Sequence, residues 1–163
     1  MSSAKGPARQ PAELEDAATP AQALSAEALL RARHGGARIL VVDDNEINSQ
    51  IAVHILHAAG LAAETAVDGQ VAVDLVRAHS YDLILMDVQM PKLDGCEATR
   101  IIRTLPGWAS KPIVAMTANA FVEDRRMCAA AGMTEFIAKP VRPALLYETI
   151  LKCLDESRYE SRP

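Results

Sequence analysis

The fold is decided by the stretch DLILMDVQMP, which spans residues 82–91. An apolar run of strand length ends there in one carboxylate, Asp87, and a loop that contains Pro91 follows. Three other apolar runs also end in polar side chains, namely Asp43 and Asp44, Thr117, and Lys139. Open parallel α/β sheets bind their ligands at the carboxyl ends of the strands. These four strand ends therefore indicate a shared site at one edge of a sheet.

Segments with helical periodicity separate the apolar runs. One of them places Ile47, Ile51 and Ile55 at helical spacing after the first strand and ends at Gly60. From Ala37 onward the chain shows a five-fold alternation of strand and helix. The best strands are continuously apolar, as expected when helices cover both faces of a parallel sheet. We predict a flavodoxin-like (βα)5 three-layer α/β fold with a five-stranded parallel sheet of order 2-1-3-4-5.

The chain before Ala37 has a different composition. Residues 1–18 are rich in Ala, Pro, Ser, Glu and Lys without a period, which is typical of a disordered tail or linker. A helix is predicted at about 20–33 with Thr19 as its cap, and its narrow apolar stripe favours a linker helix over a docking or dimerisation helix. The expected organisation is a linker over 1–36, one folded domain over 37–155 and a C-terminal tail over 156–163.

Composition excludes several classes of protein. The 163 residues carry a formal net charge of -4 without a basic stripe, which argues against nucleic-acid binding. No apolar stretch approaches the roughly 20 residues of a membrane span, and no signal peptide is evident. The cysteines are odd in number and lack zinc-type spacing, which favours reduced thiols (Cys96, Cys128 and Cys153). We expect a cytoplasmic chain without direct membrane contact.

Three carboxylates would crowd one crevice if the first and third strands are neighbours: Asp43, Asp44 and Asp87. Two unit charges 4 Å apart repel each other by about 4 kcal/mol at an effective dielectric constant of 20. Such a cluster should raise a pKa or recruit a cation. Oxygen ligands without His or Cys favour a hard ion such as Mg²⁺, and a backbone carbonyl just after Asp87 could add a ligand.

The remaining polar strand ends suit phosphoryl chemistry. Lys139 and Thr117 could hold phosphoryl oxygens, and Asp87 could act as a nucleophile at phosphorus, which would give an aspartyl phosphate. Each residue also has a simpler interpretation, since Asp44 could merely cap the first helix together with Asn45, and the others could belong to ordinary turns. The coincidence of four strand ends favours a site.

The order and spacing of these residues resemble a response-regulator receiver domain from roughly 37 to 155. The resemblance implies that Asp43 and Asp44 form the acidic pair that binds Mg²⁺ and that Asp87 is the phosphoacceptor. It also implies a backbone carbonyl ligand from Gln89. It further implies that Thr117 is the switch hydroxyl and that Phe136 is the switch aromatic. Lys139 would be the catalytic lysine, and Pro140 is a cis-proline candidate.

Three short stretches of the sequence indicate a particular subfamily of receiver domains. The stretches VVDDNEIN at 41–48, MPKLDGCEAT at 90–99 and MTANA at 116–120 resemble receivers fused to hybrid sensor histidine kinases. This implies phosphorelay signalling, with a histidine kinase or a histidine phosphotransfer domain as partner and a parent protein that could be membrane-anchored. The resemblance also implies docking through the first helix, by Asn48, Ile51 and Ala52. It further implies that Gln89 and Asn119 tune the phosphoryl lifetime.

Other classes of protein fit less well. A haloacid-dehalogenase-type phosphatase has its nucleophile on the first strand and a second Asp two residues later, whereas here Gln89 follows Asp87. A flavodoxin needs a phosphate-binding loop where residues 44–46 are acidic and polar. No histidine has a kinase-like context, and there is no Gly-rich nucleotide loop. Two questions stay open, namely whether the chain acts as an enzyme on its own phosphorylation, and whether it is instead a non-phosphorylated binding module.

Overall fold

The computed structural model describes residues 25–118 and 122–160. Five strands form one parallel sheet of order β2-β1-β3-β4-β5, which confirms the predicted flavodoxin-like topology. In chain order the elements are α1 (Ala26–His34), β1 (Arg38–Val42), α2 (Glu46–Ala58), β2 (Ala62–Ala66), α3 (Gly69–Ala78), β3 (Leu83–Asp87), α4 (Gly95–Arg103), β4 (Ile113–Thr117), α5 (Val122–Ala131), β5 (Glu135–Ala138) and α6 (Pro143–Glu160).

Helices cover both faces of the sheet. Side chains alternate across a strand, so Leu40 and Val42 of β1 join α3, α4 and α5 in one apolar cluster, while Ile39 and Val41 join α1, α2 and α6 in another. All four side chains are completely buried. Burial of each such side chain contributes about 1.5–3 kcal/mol, which explains why the strands are continuously apolar. No helix among the described residues is both long enough and apolar enough to span a membrane.

The register of the strands brings the polar strand ends to one edge. Val42 of β1 pairs with Met86 of β3, so Asp43 and Asp87 follow at the same level. On the other side of β3, Asp87 pairs with Met116 of β4, and the next residue is Thr117. Thr117 in turn pairs with Ala138 of β5, directly before Lys139.

Side-chain caps fix the starts of α2, α3 and α4. The Asn45 side chain accepts a hydrogen bond of 3.1 Å from the Asn48 amide at the start of α2. Asp68 and Asp94 cap α3 and α4 in the same way, at 2.8 and 2.9 Å. Of the two residues in the capping alternative, Asn45 is therefore the cap of this helix, and Asp44 is not.

The N-terminal helix differs from the predicted linker helix. It begins at Ala26 with Ser25 as its cap, and the predicted start at Thr19 lies outside the described residues. Leu30 is fully buried among the side chains of α2 and α6, so α1 packs as part of the domain. Polar contacts complete the packing, since Arg31 donates to the Ala58 carbonyl and His34 Nε2 lies 2.7 Å from Asp155 Oδ1.

The C-terminal helix also differs from its prediction. The sequence predicts a tail over residues 156–163, but α6 continues to Glu160. Leu154 is buried, and Arg158 Nη1 donates a hydrogen bond of 3.4 Å to the Arg33 carbonyl. The polar last turn of α6 is thus held by α1, whose contribution the sequence pattern did not reveal.

Candidate functional site

A lysine and two buried aspartates form the centre of the site. Lys139 Nζ lies 3.2 Å from Asp43 Oδ2 and 3.2 Å from Asp87 Oδ2. The two carboxylates belong to neighbouring strand ends, and their residues are only 2% and 4% exposed. The ammonium group therefore bridges two carboxylates that would otherwise repel each other across a small distance.

A third carboxylate completes an acidic cluster. Asp43, Asp44 and Asp87 each offer one oxygen, and these oxygens all lie within 4.8 Å of one another. Asp44 is exposed, so one side of the cluster is open to solvent. Three negative charges against the single positive charge of Lys139 leave two net negative charges. This donor set fits a divalent hard cation that takes oxygen ligands.

The pKa values of the central pair reflect the same crowding. Burial raises the pKa of Asp87, and the positive charge of Lys139 lowers it. The negative charge of Asp43 raises it again, so the pKa of Asp87 lies above its usual range. Burial lowers the pKa of Lys139, but the charges of Asp87 and Asp43 outweigh this, so its pKa is raised. Lys139 therefore remains a cation at neutral pH.

Backbone amides fix the orientation of both buried carboxylates. The Asn45 amide donates to Asp43 Oδ1 at 2.9 Å, and the Gln89 amide donates to Asp87 Oδ1 at 3.2 Å. In each aspartate the second oxygen faces Lys139. Ser49, which sequence reasoning did not select, donates from its hydroxyl to the Asp43 carbonyl at 3.4 Å. The carboxylates are thus held in place before any ligand binds.

Gly95 is a second residue that sequence reasoning missed. A Cβ atom at this position would lie 2.2 Å from the Asp87 carbonyl oxygen and 3.0 Å from Met86 Cγ. The Gly95 amide also donates to the Val88 carbonyl at 3.1 Å. The start of α4 therefore rests directly against the phosphoacceptor candidate. The glycine after Asp94 was the available signal, because a glycine beside a helix cap can indicate a close approach of two backbone segments.

Of the two predicted switch residues, Thr117 lies beside this centre, whereas Phe136 lies three residues before Lys139 on β5. Thr117 is 1% exposed, and its carbonyl accepts a hydrogen bond of 2.8 Å from the Lys139 amide. The Lys139–Pro140 peptide bond is cis. Phe136 is half-buried on β5, and the guanidinium carbon of Arg125 lies 4.6 Å from the centre of its ring. The Arg125 contact was not anticipated from the sequence.

An apolar groove opens next to the site. The three predicted docking residues Asn48, Ile51 and Ala52 line it together with Pro140 and Val141, and its volume is about 400 Å³. Ile51 is 51% exposed, although it is a large apolar side chain. Of the two residues expected to tune the phosphoryl lifetime, Gln89 is exposed beside Asp87, and Asn119 lies outside the described residues.

Three comparisons relate this arrangement to known proteins. The family described as "Response regulator receiver domain" matches residues 39–151. The hybrid signal transduction histidine kinase L of Dictyostelium discoideum is 38% identical over 130 residues, which cover 76% of this chain and 8% of that protein. Chemotaxis protein CheY4 of Vibrio cholerae superposes with a TM-score of 0.71 at 32% identity, covering 74% of this chain and 100% of that one.

A further solved structure is the receiver domain of the sensor histidine kinase PA1611 from Pseudomonas aeruginosa PAO1. It matches with a TM-score of 0.70 at 38% identity and covers 74% of this chain and 99% of that one. That structure has a magnesium ion coordinated in its active site cleft. The present chain belongs to the response regulator receiver domain family, and it is homologous to the receivers of hybrid histidine kinases. It spans less than a sixth of the length of the first curated relatives that it matches.

Proposed function

We propose that the chain is a phosphorelay receiver that accepts a phosphoryl group on Asp87 from a phosphohistidine. The observation that carries the proposal is the position of Lys139, which lies 3.2 Å from the carboxylates of both Asp43 and Asp87 at the carboxyl edge of the sheet. Family membership and the relatives among hybrid histidine kinases support it. The donor would be a histidine kinase or a histidine phosphotransfer domain, in a cytoplasmic setting.

The reaction is a displacement at phosphorus. A carboxylate oxygen of Asp87 attacks the phosphorus, the nitrogen–phosphorus bond of the phosphohistidine breaks, and the imidazole leaves with the bonding electron pair. The Lys139 ammonium, which already contacts Asp87, can turn to the transferred oxygens and stabilise their charge. Thr117 would offer its hydroxyl to the phosphoryl group once it is attached. The role of the chain is mainly positioning and charge stabilisation.

A magnesium ion fits the acidic cluster. Asp43, Asp44 and Asp87 would hold it, with the Gln89 carbonyl as a fourth ligand from the protein. When bound there it would supply positive charge that offsets the negative charge of the phosphoryl oxygens. The oxygen-only donor set and the two net negative charges of the cluster support this assignment.

The groove beside α2 is the proposed docking surface for the phosphodonor. It lies next to Lys139 and exposes Ile51, so an apolar helix of a phosphotransfer partner could bury this side chain while presenting its histidine to Asp87. Gln89 and Asn119 would tune the phosphoryl lifetime. We further propose that the receiver spans residues 37–160, to the end of α6, with α1 as an added helix.

Phosphorylation by a small molecule tests the central proposal. The protein is incubated with magnesium and acetyl phosphate or phosphoramidate, and its intact mass is measured. We expect a gain of one phosphoryl group in the wild type and none in Asp87→Ala. Asp82→Ala is the matched control, since this exposed aspartate precedes the same strand but lies at its opposite end.

Two outcomes would contradict the proposal. One is a retained phosphoryl group in Asp87→Ala. The other is no gain in the wild type with any of the donors, namely acetyl phosphate, phosphoramidate and a phosphorylated histidine phosphotransfer domain. The second outcome would leave a binding module with a receiver fold.

Thermal unfolding tests the metal site separately. An ion that binds only the folded state at 100 times its Kd adds about 2.7 kcal/mol of stability. Magnesium should therefore raise the Tm of the wild type and of Asp82→Asn. Asp44→Asn should weaken this shift, because the exposed Asp44 carboxylate belongs to the cluster and caps no helix. An equal shift in all three proteins would exclude Asp44 as a ligand.

A further inference from the structure

We propose that Arg125 is a positioning residue that holds the Phe136 ring in its half-buried position and thereby sets how readily the domain enters its phosphorylated conformation. Its guanidinium carbon lies 4.6 Å from the centre of the ring, within the distance of a cation–π interaction. The inference rests on the proposed function and on the role of switch aromatic that the resemblance to receiver domains implies for Phe136.

The charge of Arg125 is directed to the ring rather than to a carboxylate. Arg125 is exposed on α5, and it makes no ion pair among the side chains that the structure describes. Glu135, the acidic neighbour of Phe136, is instead paired with Lys152 at 2.8 Å. A cation–π contact at an exposed site changes an equilibrium constant by about two- to fivefold.

The surroundings of the ring leave room for it to move. Arg125 and Phe136 both line a cavity of about 250 Å³ between α5 and β5. In the sheet, Phe136 is in register with Ala115, which has only a methyl group. Thr117 lies two residues further along β4 and therefore on the same face as Ala115. The two positions of β4 on this face, Ala115 and Thr117, thus present small side chains between the ring and the site.

The contact has a thermodynamic consequence. If Arg125 stabilises only the conformation seen here, its removal shifts the population towards the alternative. The apparent affinity for a phosphoryl analogue rises by the same factor while the competent conformation is the minor one. We expect the loss of Arg125 to raise this affinity about two- to fivefold.

Fluorine labelling makes the ring directly observable. The chain has two phenylalanines, so fluorophenylalanine gives two signals, and Phe136→Leu assigns them. Affinity for beryllofluoride with saturating magnesium is measured by calorimetry. Arg125→Gln should move the Phe136 signal without the analogue and should tighten binding about two- to fivefold. Arg126→Gln is the matched control, because it removes the same charge from the next exposed position of α5.

A double-mutant cycle separates the ring contact from a general effect of charge. In the Phe136→Leu background, Arg125→Gln should leave the affinity unchanged. The inference is overturned if Arg125→Gln and Arg126→Gln behave alike, or if the effect persists without the ring. Failure of the wild type to bind beryllofluoride would instead count against the proposed function. In that case an unchanged Phe136 signal in Arg125→Gln would still overturn the inference.

Discussion

Gly95→Ala tests whether the start of α4 fixes the position of the phosphoacceptor candidate. The new Cβ atom would lie 2.2 Å from the Asp87 carbonyl oxygen, whereas ordinary van der Waals contact begins at 3.4 Å. The difference between these distances requires a displacement of about 1.2 Å. Gly95 has no left-handed backbone conformation, so the substitution adds a steric clash without backbone strain.

The displacement should affect both rate and stability. A misplacement of about 1 Å at a reacting group can cost about 100-fold in rate. Overpacking of a buried contact costs about 1–3 kcal/mol of stability. We therefore expect Gly95→Ala to be phosphorylated by phosphoramidate about 100-fold more slowly than the wild type, with its fold retained. Single-turnover phosphorylation followed by intact mass measures the rate, and urea unfolding measures the stability.

A destabilised variant far from the site separates these two effects. Ile150 is fully buried in α6 on the opposite face of the sheet, and Ile150→Val should cost about 0.5–1.5 kcal/mol. This variant should keep the wild-type rate of phosphorylation. If Gly95→Ala also kept the wild-type rate, or if both variants slowed equally, then the close packing of Gly95 against Asp87 would not position the carboxylate.

Two further predictions concern stability. Leu30→Ala should lower the free energy of unfolding, measured in urea, by about 2–5 kcal/mol, because the Leu30 side chain of α1 is fully buried. Ala32→Ser is the control, at an exposed position of the same helix. If Leu30→Ala cost no more than this control, α1 would not pack on the domain in solution. Burial and the hydrogen bond to Glu64 raise the pKa of Tyr81 to about 12, above an unfolded value of about 10. The stability that this protonated hydroxyl contributes is complete below about pH 10 and is lost as the pH rises through about 12, and Tyr81→Phe should remove this loss from alkaline unfolding curves.

The sheet and the acidic centre could be predicted because their signals are local. Continuous apolar runs define buried parallel strands, and the residue after each run falls at the carboxyl edge whatever the packing of the helices. Asp43, Asp87 and Lys139 were therefore selected correctly as neighbours, and the structure places them in contact. The order of the strands was predicted from the fold class, because a flavodoxin-like sheet has the order 2-1-3-4-5.

The features that were missed depend on contacts between distant segments. The apolar stripe of α1 is narrow because Leu30 is the one fully buried side chain of this helix, and polar contacts such as that of His34 with Asp155 provide the rest of its packing. The steric role of Gly95 requires knowledge of where the Asp87 carbonyl lies. The stacking of Arg125 on Phe136 joins residues on α5 and β5 that no periodicity links.

The packing of α1 against α6 determines where the chain enters the domain. The charge of Glu27, after burial, contributes to the raised pKa of Tyr147, and Arg33 lies 2.9 Å from Asp155, so the two helices run in the same direction. Because α6 begins just after Lys139, the first turn of α1 lies towards the edge of the sheet that carries Asp87. A phosphodonor fused to the chain before Ser25 would be anchored on the same side of the domain as its acceptor, and this attachment would raise its effective concentration there.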